Sequence, residues 1–163
     1  MEAHHREIIE KAKAERENVK KHFAKLKKSK AKDTDEMFHS KHADFFKKND
    51  CLTCANCCKT TSPIFRDVDI KRISKHMKLK EAAFIHSYLR LDEEGDYVLK
   101  SSPCAFLDTS DNTCGIYSFR PLACAEYPHT DRKNMLQILD LTARNAEICP
   151  AVASIVLQII NSK

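Results

Sequence analysis

Four cysteines stand within eight residues, and they are the side chains of this sequence best suited to carry out chemistry: Cys51, Cys54, Cys57 and Cys58. Two residues separate the first from the second and the second from the third. That interval lets a tight loop turn thiolates toward one centre, as in zinc knuckles and ferredoxin cluster loops. Cys58 departs from the ferredoxin run because it follows Cys57 directly, so the two side chains should diverge. The spacing predicts three metal ligands on one loop and leaves open which member of the pair is one of them.

Four further cysteines lie far apart along the chain: Cys104, Cys114, Cys124 and Cys149. Three of the four have a proline close by, which restricts the local backbone and suits a fixed ligand position. Eight thiols are enough for two four-sulfur sites, for one site with spare cysteines, or for a dinuclear centre. All eight are candidate ligands of zinc or iron, including iron in an iron–sulfur cluster. The competing interpretation is that an isolated cysteine is only a small buried side chain, and it applies most to Cys149.

Thiolates need positive charge or hydrogen-bond donors nearby, and the sequence offers three cations close to the cysteines, Lys59, Arg66 and Arg120. Five of the eight histidines fall in the charged N-terminal segment, where histidine is ordinarily a surface residue. Only His129 is placed like a ligand, and a hydrogen-bonding or surface role is favoured even there because sulfur ligands are abundant.

The cellular compartment decides how so many cysteines are interpreted. Residues 1–10 are too charged for a signal peptide, and the longest apolar run, residues 151–160, is about half the length that crosses a bilayer. We therefore expect a cytoplasmic protein with no membrane partner, in which thiols stay reduced and serve as ligands. If the protein were exported by another route, eight cysteines could instead form four disulfides.

The elements that position these residues begin with a charged helical arm, predicted over residues 1–50. Residues 3–31 contain neither glycine nor proline and predict one long helix, and Thr34 or Asp35 should cap a second helix. Most of the net charge of +5 belongs to this arm. Because acidic and basic residues alternate there, a solvated helix is favoured over nucleic-acid contact, while a protein partner stays open.

The cysteine-rich domain is predicted over residues 51–163. Helices should start near Asp67 and again near residue 82, and proline at position 150 should open a final apolar helix. Short extended pieces are expected at residues 96–100, 105–107 and 115–117, with a turn at 108–112. The predicted fold class is α+β and mostly helical, a small cysteine-rich domain stapled by metal with short strands and a long N-terminal helical arm. Its apolar content is low, so metal ligation would add stability that the core lacks.

The motifs together resemble those of a known family. The Cys51-x2-Cys54-x2-Cys57-Cys58 run is followed by Pro103-Cys104, by Cys114-Gly-Ile-Tyr117-x2-Arg120-Pro121-x2-Cys124, and by Cys149-Pro150. This pattern resembles the CxxCxxCC family of zinc- or iron-chelating domain proteins, the YkgJ type, over about residues 51–150. The resemblance implies metal chelation by a small cysteine-rich domain and no agreed reaction.

Three hypotheses of function follow. The leading one is a metal-binding protein in which Cys51, Cys54 and one of the adjacent pair are ligands, completed by the later cysteines. Tyr117 and Arg120 would then donate hydrogen bonds to sulfur or neutralise its charge. The second is an enzyme that uses an iron–sulfur cluster or a reactive thiol, either Cys58 or Cys124, for redox or group-transfer chemistry. The third is a metal-stapled interaction module.

Overall fold

Helix-favouring residues dominate the chain, and the computed structural model is accordingly mostly helical. It describes residues 3–162. The helices, in chain order, are α1 (Ala3–Ala14), α2 (Arg16–Ser29), α3 (Thr34–Phe46), α4 (Cys51–Cys54), α5 (Asn56–Thr60), α6 (Asp67–His76), α7 (Glu81–Tyr88), α8 (Leu122–Ala125), α9 (Leu139–Asn145) and α10 (Pro150–Asn161). Two strands, β1 (Leu89–Leu91) and β2 (Tyr97–Leu99), form a small antiparallel sheet. The predicted fold class, mostly helical α+β, is confirmed.

The chain divides into two compact units. The first unit comprises residues 1–54 and 128–163, and the second comprises residues 55–127. The N-terminal helices thus share a unit with the C-terminal helix α10, and the stretch in between forms the second unit. The domain boundary predicted at residue 51, between a helical arm and a cysteine-rich domain, remains a prediction.

The first unit is built around α10. Its apolar stripe was predicted and is confirmed: Val152, Ile155 and Val156 are fully buried. Helices α1, α2 and α3 all pack on α10, and they contribute buried apolar residues such as Ile9 and Phe23. The three N-terminal helices are therefore held by burial of their apolar faces.

The predicted single helix over residues 3–31 is wrong in one detail, because it is interrupted at Glu15. That residue leaves the helical region (φ −88°, ψ 8°), although Glu15 N–H still donates to Lys11 O at 3.0 Å. Residue-by-residue propensity gives no reason for a break here, since neither glycine nor proline is present. Both resulting helices pack on α10, and the interruption lets each follow that shared surface.

The second unit has its own core, formed by apolar residues from α6, α7, the sheet and the loops: Phe65, Ile70, Ile73, Phe84, Leu89, Leu99 and Ile116. On α6, Val68 faces away from this core and is 58% exposed. Strand β1 pairs with β2, with Leu89 opposite Leu99. The sequence predicted β2 and missed β1, which follows α7 without an intervening turn residue.

The loop that carries two of the predicted ligands is a hairpin-like turn rather than a strand pair. Leu107 and Cys114 form a single antiparallel bridge. Asp108 N–H donates to Thr113 O, and Gly115 N–H donates to Phe106 O, both at 2.8 Å. The predicted turn at 108–112 is thus present, but the flanking pieces are too short to count as strands, and residues 117–119 form a turn of 3₁₀ helix.

Within residues 3–162 no individual helix has the length and apolar character needed to span a membrane. One pair of segments, residues 135–145 and 150–161, reaches that length and composition only when both are taken together, and the two are bent by 117° relative to each other.

Candidate metal centre

The CxxCxxCC run folds as two short helices rather than as the predicted tight loop. Cys51 and Cys54 lie on α4, in the first unit, while Cys57 and Cys58 lie on α5, in the second. Ala55 separates the helices with a left-handed backbone, φ 47°. A residue with a Cβ is uncommon in that conformation, so the α4–α5 junction is a specifically held feature of the chain.

The second unit brings four thiols into electrostatic contact: Cys58, Cys104, Cys114 and Cys124. Burial raises the pKa of Cys124 to about 12, and the negative charges of Cys58, Cys104 and Cys114 each add to that rise. Cys58 also raises the pKa of Cys104 and of Cys114. Like charges act on one another in this way only when they are close and poorly screened by water. The four thiols therefore lie near one another in the second unit, and we call them the thiol cluster.

Separate elements supply the members of the thiol cluster. Cys58 comes from α5 and Cys124 from α8, while Cys104 and Cys114 come from the hairpin-like loop. Cys104 N–H donates to Cys58 O at 2.8 Å, which ties that loop directly to α5. Cys104 and Cys114 also pack against the apolar core of the second unit. Two of the four cluster cysteines thus contact the apolar core of this unit.

Cys58 is the member of the adjacent pair whose charge acts on the other three thiols. Its own pKa is raised, first by a hydrogen bond with the Cys57 side chain, then by burial and by the charge of Cys57. Lys59 acts in the opposite direction and lowers it. The sequence left open which cysteine of the pair faces the centre, and this geometry favours Cys58 in the second unit.

Hydrogen-bond donors and a cation are already directed at these sulfur atoms. Backbone N–H groups of Phe106 and Leu107 lower the pKa of Cys104, against the larger effect of burial. The backbone of Ile116 does the same for Cys114. N–H groups that point at sulfur are the interactions that stabilise metal-bound thiolates. They follow from loop geometry, so side-chain types in the sequence gave no signal for them.

Arg120 is the cation of the cluster. Its charge lowers the pKa of both Cys114 and Cys124. The guanidinium lies over the Tyr117 ring at 3.9 Å from the centroid and donates to Tyr117 O at 2.6 Å. Stacking and hydrogen bonding together restrict where the arginine can point. Of the other predicted cations, Lys59 acts on Cys58, whereas Arg66 is engaged by Asp69.

Of the four remaining predicted ligands, Cys57 lies on α5 in the second unit and the other three belong to the first unit. Cys54 is buried on α4, Cys51 is exposed on the same helix, and Cys149 is buried at the residue preceding α10. All eight cysteines of the chain are thiols rather than disulfides. The predicted alternative of four disulfide bridges is therefore not what the structure shows. His129 is partly buried and has a left-handed backbone, φ 63°.

Nowhere in residues 3–162 do three His, Cys, Asp or Glu side chains already stand at the mutual spacing of a metal-coordinating group. The thiol cluster nevertheless fits zinc or iron by the chemistry of its donors: four soft sulfur atoms, backbone N–H groups and a cation. Raised pKa values keep these thiols protonated at neutral pH, and metal binding would release those protons.

Sequence reasoning missed Asp69, a fully buried carboxylate on α6. It accepts a hydrogen bond from Leu122 N at 3.3 Å, two residues before Cys124. A signal was available, because an acidic residue at the third position of a helix commonly accepts from the backbone at the helix start. Asp69 does this too, from Arg66 N at 3.2 Å.

A small, mostly helical α+β protein that gathers thiols beside donors and a cation belongs to the class of cysteine-rich metal-chelating proteins. Residues 50–150 match the CxxCxxCC family, described as a putative zinc- or iron-chelating domain, and the chain belongs to this family. The recognition made from the sequence is confirmed, and so is metal binding as the general function. No curated protein and no solved structure shows significant similarity to the chain.

Proposed function

We propose that this protein chelates one zinc or iron centre through the thiol cluster, with Cys58, Cys104, Cys114 and Cys124 as ligands. The observation that carries the proposal is the placement of all four thiols in one compact unit, where Cys104 N–H donates to Cys58 O at 2.8 Å and Cys104 and Cys114 pack on the same core. A dication that replaces their protons would relieve the repulsion that each thiolate imposes on the others.

Two kinds of centre use four thiolates, and the cluster suits both. Zinc takes a tetrahedral set of four cysteines in structural sites. Iron–sulfur clusters are likewise held by four cysteines, and hydrogen bonds to sulfur tune their reduction potential. The N–H groups near Cys104 and Cys114 would stabilise the thiolates of either centre. Experiment must therefore identify the metal.

The first test is elemental analysis of protein purified without oxygen, combined with single substitutions. We expect about one zinc or one iron centre per chain, with acid-labile sulfide only if iron forms a cluster. Cys124→Ser should lower metal content by at least about tenfold, because serine is a poor ligand for these metals at neutral pH. Cys57→Ser is the matched control, since it alters the neighbour of a ligand and leaves the four sulfur atoms in place.

Full metal content in Cys124→Ser, or equal losses in Cys124→Ser and Cys57→Ser, would contradict the assignment. Cys54→Ser addresses a separate prediction, that Cys51, Cys54 and Cys149 are ligands as well. A loss of metal in that variant, alongside a retained thiol-cluster centre, would indicate a second site.

A thiol-dependent enzyme is less well supported than a metal-binding protein. This alternative depends on Cys58 or Cys124 as the reactive group. A reactive cysteine needs a lowered pKa, because the thiolate is the nucleophile. The pKa of Cys58 is raised, and that of Cys124 is raised to about 12. Metal ligation, which displaces the proton directly, is the more suitable chemistry for such thiols.

The proposal includes a cytoplasmic location, where cysteines remain reduced and available as ligands. A protein partner of the N-terminal helices would have to use their charged outer face. Their apolar residues, including Ile9 and Phe23, are buried in the first unit.

A further inference from the structure

Asp69 accepts hydrogen bonds from four donors although its side chain is fully buried. Arg66 donates to Oδ2 from both its backbone N and its Nε, each at 3.2 Å. Arg72 Nη2 donates to Oδ1 at 2.7 Å, and Leu122 N donates to the same oxygen at 3.3 Å. A buried carboxylate with this many donors is fixed in place, because breaking any one bond would leave a polar group unsatisfied.

Arg72 extends the network to the segment that precedes Cys124. Its Nη2 donates to Arg120 O at 2.9 Å, and its Nε approaches Phe119 O at 3.4 Å. The same guanidinium therefore holds the Asp69 carboxylate and two consecutive backbone carbonyls. The planar fork of arginine, with its five N–H donors, is suited to joining three acceptors in this way.

A ring contact reinforces this arrangement from the end of α6. His76 stacks on Phe119, with ring centroids 3.9 Å apart and an interplanar angle of 16°. Residues 119–122 are therefore attached to α6 at three backbone atoms and one side chain. Pro121, within this segment, has no N–H with which to make a bond of its own.

The segment held in this way carries the charge and one sulfur atom of the thiol cluster. Arg120, whose guanidinium acts on Cys114 and Cys124, lies in the middle of it, and α8 with Cys124 starts directly after Pro121. We propose that Asp69 and Arg72 are positioning residues for the metal centre, which set the backbone of residues 119–122 so that Arg120 and Cys124 face the other thiols. This inference rests on the proposed function.

The test is titration of the metal-free, reduced, full-length protein with Co²⁺ against a competing chelator. Sulfur-ligated cobalt absorbs strongly, so the titration yields both an affinity and a spectrum. We expect Asp69→Asn and Arg72→Lys each to weaken binding by about 10- to 100-fold, the range found when groups that orient metal ligands are removed. Asp67→Asn is the matched control, because it removes a neighbouring carboxylate that is exposed on the same helix turn. It should bind cobalt like the wild type.

The spectrum separates positioning from general stability. If the two residues position Cys124, the cobalt-saturated spectra of Asp69→Asn and Arg72→Lys will differ from the wild-type spectrum in intensity and band position. If they only stabilise the fold, saturation will restore the wild-type spectrum, and the inference is overturned. Should Asp69→Asn fail to fold, Arg72→Lys decides, because it keeps the charge beside Asp69 and loses only the fork to the two carbonyls.

A double variant tests whether Asp69 acts on the metal centre through Arg120. With Arg120→Gln already present, Asp69→Asn should weaken cobalt binding by less than it does alone, because part of its effect passes through Arg120. Strict additivity of the two losses would contradict that route. Wild-type affinity in Asp69→Asn and Arg72→Lys would overturn this inference alone, whereas a wild-type protein that binds no cobalt would overturn the proposed function as well.

Discussion

The two compact units of this protein are stabilised in different ways. The first unit buries a continuous apolar helix, α10, whose Val152, Ile155 and Val156 are wholly inaccessible to solvent. The second unit has a smaller apolar core, and part of what packs against it is Cys104 and Cys114. Burial can therefore account for the first unit, whereas the second unit places thiols beside its core, where the proposed metal centre would add stability.

Metal removal should give the largest effect, and it should fall on one unit. Because ligation energy becomes folding energy, loss of a four-thiolate centre is expected to destabilise residues 55–127 by on the order of 10 kcal/mol. Amide hydrogen exchange before and after chelation, under reducing conditions, measures this. Protection should fall in α5–α8 and the sheet, while α10 stays protected. Equal loss of protection in both units, or no loss in either, would contradict this difference between the units.

A cavity created in the first unit should lower the free energy of unfolding by the same amount with and without metal. Ile155→Ala removes a fully buried side chain from α10, so we expect a loss of about 2–5 kcal/mol in unfolding free energy. Urea denaturation of metal-loaded and metal-free protein would give the same difference, and metal content would be unchanged. Val68→Ala is the control, because Val68 is 58% exposed and its loss should cost little. A metal-dependent effect of Ile155→Ala would contradict the separation of the two units.

The buried carboxylate of the second unit should make stability depend on acid pH. Burial alone would raise the pKa of Asp69, but hydrogen bonds from Arg66 and Arg72 outweigh it, and the pKa is lowered. The stabilisation is therefore complete above about pH 4, the ordinary pKa of aspartate, and is lost as pH falls through the lowered value. Asp69→Asn should cost about 1–3 kcal/mol at pH 7 in metal-free protein.

Urea denaturation at pH 7 and again near pH 2 would test this. The difference between wild type and Asp69→Asn should shrink at the lower pH. An equal difference at both pH values would show that the carboxylate's charge is not what stabilises the network.

The smallest effect is expected at a histidine in the first unit. Burial lowers the pKa of His42; Asp131 raises it and His39 lowers it further. Its Nδ1 lies 2.8 Å from Thr130 Oγ1. Because the folded-state pKa lies below the ordinary value of about 6.5, the neutral form is favoured, and its contribution is lost as pH falls through the lowered pKa. An NMR titration should place the pKa of His42 below that ordinary histidine value; a value at or above it would contradict this.

Much of the fold could be predicted because its signals are local. Proline at position 150 opens α10, and the apolar spacing after it names the buried face. The break at Glu15 could not be predicted, since it follows from packing on a distant helix. Nor could the role of Asp35, predicted as a helix cap. Its two carboxylate oxygens accept from Asn134 N and Met135 N at 2.7 and 2.8 Å, a contact across about a hundred residues that no local pattern contains.

The candidate site, too, was predictable from the sequence where its signals are local and unpredictable where they depend on distant contacts. Cysteine spacing named every sulfur that the thiol cluster uses, and it named Arg120. It could not choose between Cys57 and Cys58, because that choice depends on how α5 lies against the loop at Cys104. Backbone N–H donors to sulfur were also out of reach, and so were the bonds from Leu122 to Asp69 and from Arg72 to Arg120, because each of these two bonds spans about fifty residues.

X-ray absorption at the edge of the bound metal identifies the ligand atoms themselves. Measured on Cys57→Ser protein purified without oxygen, it should show a metal surrounded by four sulfur atoms, at about 2.3 Å for zinc, and Cys124→Ser should lower that number or abolish binding. A nitrogen- or oxygen-dominated shell in Cys57→Ser, or four sulfur ligands that survive loss of Cys124, would contradict the assignment of Cys58, Cys104, Cys114 and Cys124 as the metal ligands.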